Sequence, residues 1–287
     1  MLSGLTFLCL VATSANGAPA VDRHINDDRL WRVVARANLI VVGRLDVPVA
    51  SANADRPADD RGYAKFRVSV DQTIKGSRRE SLEVQWYCEG KEGLSESRRI
   101  SAMNGKSAML FLEQDAKGVY PVFDTDTAMA ADREFVSRVR HEVMAQQEAL
   151  RQVQKMFPSR DDVMFVKVKA LIDRTVRADT QAAAFRDLEG LGQDAVPAII
   201  MLMDDSRKLA RREITLRNSA GSRFEGFRHY GPETVADAMD AILNQITGED
   251  FGFIANGATE EERRRAVDGW RIYLYHVKND ARPIRGK

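Results

Sequence analysis

The spacing of apolar residues along this chain changes period once, near residue 130. That single change restricts the fold to a β part followed by an α part. Before it, Ala64, Phe66, Val68 and Val70 share one parity while Lys65, Arg67, Ser69 and Asp71 share the other, as in a strand with one face buried. After it, Val136, Val139, Val143, Leu150, Val153 and Phe157 recur every three or four positions, with Gln146 as the one polar step. This is the seam of a long helix.

Asp27-Asp28 predicts a helix cap ahead of Leu30, Val33, Val34 and Ala37, and Asn38–Val47 reads as a mostly buried strand. The polar run at 51–62 predicts a loop, and Lys75-Gly76-Ser77 a turn. Further strands are predicted through Leu82, Val84, Trp86 and Cys88, through Ser107–Glu113, and through Val119–Phe123. Five strands on about 100 residues suit a small barrel. From Asp132 onward the chain reads as helical, apart from an irregular stretch of about 20 residues before Pro232. Ser159–Asp162 and Asp194 stand as caps, Pro232 opens a helix that Gly248 ends, and Thr259–Glu262 is a capping box before Ala266, Trp270, Leu274 and Val277. The expected fold class is segregated α+β: a small OB-like β-barrel followed by an α-helical HEAT-like hairpin stack. The expected divisions are a signal peptide (1–20), a barrel (21–128), a long connecting helix (129–158) and a helical domain (159–287).

The leader reading rests on the apolar run Leu5–Ala12 and on Ala18-Pro19-Ala20, which fits an A-x-A cleavage signal. The run is too short to span a bilayer, and no other segment predicts a transmembrane helix. The expected location is therefore periplasmic or secreted. Cleavage leaves Cys88 as the sole cysteine, so stability must come from packing rather than from a disulfide framework. A formal net charge of +1 argues against a nucleic-acid partner.

The order of a helix, Ala37-Asn38-Leu39-Ile40-Val41-Val42-Gly43-Arg44, an alternating strand, Ile74-Lys75-Gly76-Ser77 and Leu82-Glu83-Val84 resembles bacterial OB-type barrels related to netrin modules and metalloproteinase inhibitors. Inhibitors of that group present an amino-terminal cysteine to the protease zinc. The mature end near Val21 has none, so that mechanism does not carry over. In the second half, Leu188–Pro197 resembles the turn between the helices of a HEAT-type repeat. Ile246–Gly252 with Glu262-Arg263 and Gly269-Trp270-Arg271 is similar to a tail of exported bacterial helical-repeat proteins, a resemblance that assigns no catalytic residue.

His24, His141, His229 and His276 lack metal-ligand spacing, so no metal or cofactor is expected. Cys88 shares the parity of Leu82, Val84 and Trp86 and reads as a buried thiol. Asp124-Thr125-Asp126 and Asp204-Asp205 do not continue into a calcium loop. The local exception is Arg207–Tyr230, where Arg207, Lys208, Arg211, Arg212, Arg217, Arg223 and Arg228 outnumber Glu213 and Glu225. Arginines interleaved with Phe224, Phe227, His229 and Tyr230 suit an anionic or protein partner, so Arg212, Arg217, Arg223, Phe224, Phe227, Arg228, His229 and Tyr230 are the candidate partner-binding residues. The expected function is that of an exported, non-enzymatic binding protein contacting a protein or anionic envelope component through its helical domain. Two other readings stay open. One is a hydrolase or other enzyme with a site at the junction of the modules, and the other a protease inhibitor acting through barrel loops. Oligomeric state is not legible.

Overall fold

The structure, a computed structural model, describes residues 27–47, 63–87, 98–114, 118–122, 129–153, 162–217 and 227–279. Helix α1 (Asp27–Arg36) leads into strands β1 (Leu39–Asp46), β2 (Tyr63–Lys75), β3 (Ser81–Tyr87), β4 (Ser107–Gln114), β5 (Val119–Pro121) and β6 (Met129–Ala130). The sheet order is β3-β2-β1-β4-β5, all antiparallel, with β6 also on β4. β5 returns beside β3, where a Cβ on Gly118 would lie 2.7 Å from Gln85 Nε2. The sheet thus curls into a nearly closed barrel, compatible with the OB-like expectation.

The strands differ in burial because they have different neighbours. On β2 and β3, Phe66, Val68, Leu82, Val84 and Trp86 fill the barrel while Lys65, Arg67, Ser69 and Glu83 meet solvent. β1 and β4 are covered on both faces. Leu39, Val41, Ala108, Leu110 and Leu112 point into the barrel. Ile40, Met109 and Phe111 lie under α1 and the long helix with Leu30, Val33, Val34, Phe135, Val139 and Val143. That second layer accounts for the continuous apolar runs at 39–42 and 108–112. The pairing of β1 with β2 slips between Val42 and Gly43, and a Cβ at Gly43 would sit 2.4 Å from the Ser69 carbonyl oxygen. Glycine here lets β1 bend and serve both neighbours.

The helical part comprises α2 (Arg133–Val153), α3 (Val163–Thr175), α4 (Gln181–Gly190), a 3-10 turn (Gly192–Ala195), α5 (Val196–Met201), α6 (Val235–Thr247) and α7 (Glu260–Asn279). Asp162 caps α3, accepting from Phe165 N at 2.9 Å. Thr259 and Glu262 form the expected reciprocal cap, and Gly248 ends α6 with φ 73°. Three expectations need correction. Asp27 and Asp28 belong to the first turn of α1 instead of capping it. Asp194 lies in the 3-10 turn, and α5 has no side-chain cap. The cap of α6 is Thr234, two residues after Pro232, in a box with Asp237. Cys88, His24, Phe157, residues 124–126 and the leader lie outside the described residues.

Of the residues behind the tail resemblance, Phe251, Gly269 and Trp270 lie buried in the helical core. Phe251 packs on Gly269, where a Cβ would lie 2.5 Å from the Phe251 Cβ, and meets the Trp270 ring edge-on at 5.1 Å. Trp270 is fully buried and donates its Nε1 hydrogen to Asp240 Oδ1 at 2.8 Å. This motif is spent on packing.

Candidate interaction surface

The basic stretch expected to be irregular contains a β-ribbon, β7 (Ile214–Arg217) and β8 (Phe227–Tyr230), which corrects that expectation. Ile214 and Leu216 alternate over only four residues, and Phe227 and Tyr230 are three apart, a helical spacing, so neither strand stands out among helical segments. Opposed residues share a face, so the register Ile214↔Tyr230, Thr215↔His229, Leu216↔Arg228 and Arg217↔Phe227 sorts the candidates.

One face is turned inward. Ile214 and Leu216 are fully buried in the helical core, and Tyr230 packs partly against it. Arg228 is half-buried, with Nη1 3.4 Å from Asn244 Oδ1 on α6. The other face is turned to solvent. Phe227 is 54% exposed, and His229 is exposed with Nδ1 3.0 Å from Thr215 Oγ1. The backbone of Arg217 lies opposite Phe227. The candidates therefore split: Phe227 and His229 share a presented face, whereas Arg228 and Tyr230 anchor it. Arg223, Phe224 and the Arg217 side chain lie outside the described residues.

The local positive charge is smaller in space than in sequence. Arg207 is bound by Asp205 and by Asp173 of α3, the latter at 2.8 Å, and these hydrogen bonds raise its guanidinium above the usual arginine range. Arg212 pairs with Glu233 at the base of the ribbon. Glu233 also meets Arg263 of α7 at 3.2 Å, and Arg263 Nε lies 2.6 Å from Asp237 Oδ1. Asp237, fully buried, accepts from the backbone of Glu233 and Thr234 as well. Asn256 Oδ1 accepts from Gly231 N at 2.7 Å. The ribbon therefore stands on a fixed base. Arg212 and Glu233 are 21 residues apart in sequence and Arg263 and Glu233 are 30 apart, and no spacing rule marks such pairs.

A second concentration of ionisable groups lies where α1, α2 and α7 meet the barrel. Lys75, at the end of β2, donates to the Val34 carbonyl at 2.6 Å. Burial pushes its ammonium down to about 8, against the opposing pull of Asp268 and Glu142. His276 Nε2 lies 3.8 Å from Glu142 Oε1, and its ring stacks on Trp31. Arg32 pairs with Glu249 at 2.8 Å. A cavity of about 230 Å³ here is lined by Arg29, Arg32, Arg36 and the 248–251 turn. Lys75, Glu142 and Asp268 do not line it.

Among the described residues no group of histidine, cysteine and carboxylate side chains is arranged to hold a metal ion. Among the same residues no helix is long and apolar enough to cross a membrane. No protein-family model matches the chain, and comparison with curated proteins finds no match.

Proposed function

We propose that this is an exported, non-enzymatic binding protein, built from an OB-type barrel and a HEAT-type hairpin stack, that captures a protein or anionic envelope partner on its β7–β8 ribbon. The observation carrying the reading is the contrast across the ribbon. Ile214 and Leu216 are sunk into the core while Phe227, one register step away, is 54% exposed beside His229. An aromatic side chain held on a rigid base gives contact area at little entropic cost, which is how binding hot spots are built. Pairing of Arg207 and Arg212 with carboxylates moves the weight of recognition from net charge to this aromatic face. The leader and its A-x-A site support export. The contacts of α3 with α4 and of α5 with α6 and α7 support the repeat reading.

The test places a photo-crosslinking amino acid at position 227 in the full chain, with a control at Met144, which is 66% exposed on α2. A discrete adduct from position 227 alone, weakened by His229→Ala, supports the reading. Equal labelling from both positions overturns it.

A further inference from the structure

The junction between barrel and helices holds one imidazole facing one carboxylate across two helices. His276 of α7 has Nε2 3.8 Å from Glu142 Oε1 of α2, and its ring lies 4.5 Å from that of Trp31 on α1 at an interplanar angle of 17°. The carboxylate is held in place, because Gln146 Nε2 donates to Glu142 Oε1 at 2.8 Å and to the Trp31 carbonyl at 2.7 Å. Gln146 Oε1 is a buried acceptor without a partner. The other charged and titratable groups here come from each packed element. α1 supplies Arg32, 5.3 Å from the Trp31 centroid and paired with Glu249, and Arg36, 3.7 Å from Asp250. β2 supplies Lys75, which faces Glu142 and Asp268, and α7 itself supplies Tyr273 and Tyr275.

We propose that this junction is a proton-operated clasp, in which protonated His276 ties α7 to Glu142 on α2 and to the Trp31 ring on α1. An imidazolium adds a second ring N–H, pairs with the carboxylate and meets the face of Trp31 as a cation. Each contact is weaker with neutral histidine. The clasp strengthens the docking of both helices on the barrel as pH falls through the range where imidazole titrates, around 6.5, and relaxes above it.

The experiment measures thermal unfolding of the full chain between pH 5.0 and 7.5 in an Asp240→Asn background. That substitution removes a second group whose titration spans the same window, and Lys75 titrates above it. The expected result is a midpoint lower by about 2–4 °C at pH 7.5 than at pH 5.0, the shift a weak ion pair gives in a chain of this size. His276→Gln and Glu142→Gln, each added singly, should flatten this dependence, with Glu142→Gln keeping an acceptor for Gln146. A dependence that survives either substitution overturns the proposal. So does a midpoint lowered equally at every pH by His276→Gln, which would mark the ring as packing alone.

Discussion

Asp240 is a carboxyl buried within the helical core. Full burial pushes its carboxyl up to about 8, partly offset by the hydrogen bond from Trp270. Its folded value lies above the 3.8 of a free aspartate, so folding takes up a proton. The stability it supplies is complete below about pH 3.8 and is lost as pH rises through about 8. Asp240→Asn, which keeps an acceptor for Trp270, should therefore flatten the fall in unfolding free energy between pH 5 and 8, a slope readable in urea titrations. Arg263 is the opposite case, a cation whose removal strands an anion. Asp237 is fully buried against it, so Arg263→Met should cost about 3–5 kcal/mol. The double variant with Asp237→Asn should cost less than the sum of the singles in chemical unfolding. Asp237 and Asp240 carried no signal in the sequence, and Arg263 stood there only within a resemblance that assigns it no role. An aspartate on a helix becomes costly or useful only once folding has chosen what lies across from it.

At the scale of elements, the periodicities were legible because they report how many faces are covered. β2 alternates because one face meets solvent, whereas β1 and β4 lose their alternation to the layer of α1 and α2. The β7–β8 ribbon was hidden because β7 offers a single alternating pair, Ile214 and Leu216, and β8 spaces Phe227 and Tyr230 as a helix would. The sequence located the candidate cluster but could not divide it. The division into Phe227 and His229 outside, with Arg228 and Tyr230 inside, follows from a cross-strand register set by long-range pairing. Gly43→Val should destabilise the barrel by about 2 kcal/mol or more, because the added carbons meet the Ser69 backbone. The smaller change Thr234→Ala should cost about 1 kcal/mol by opening the α6 cap. Both are measurable by denaturant unfolding, and near-neutral values would contradict the packing described at those positions.

The whole molecule has a mixed architecture that the change of period near residue 130 anticipated: a nearly closed barrel first, helices after it. What the pattern concealed is that the two parts interlock. α1 precedes the barrel, yet its Trp31 lies among Phe251, Tyr273 and His276 from the far end of the chain. A periodicity reveals that a helix has an apolar stripe and is silent on which stripe it meets. This contact sets an order of events during synthesis. Trp31 leaves the ribosome early and finds its aromatic neighbours only after residues 251–276 have followed. Until then the first helix keeps an unclaimed apolar side.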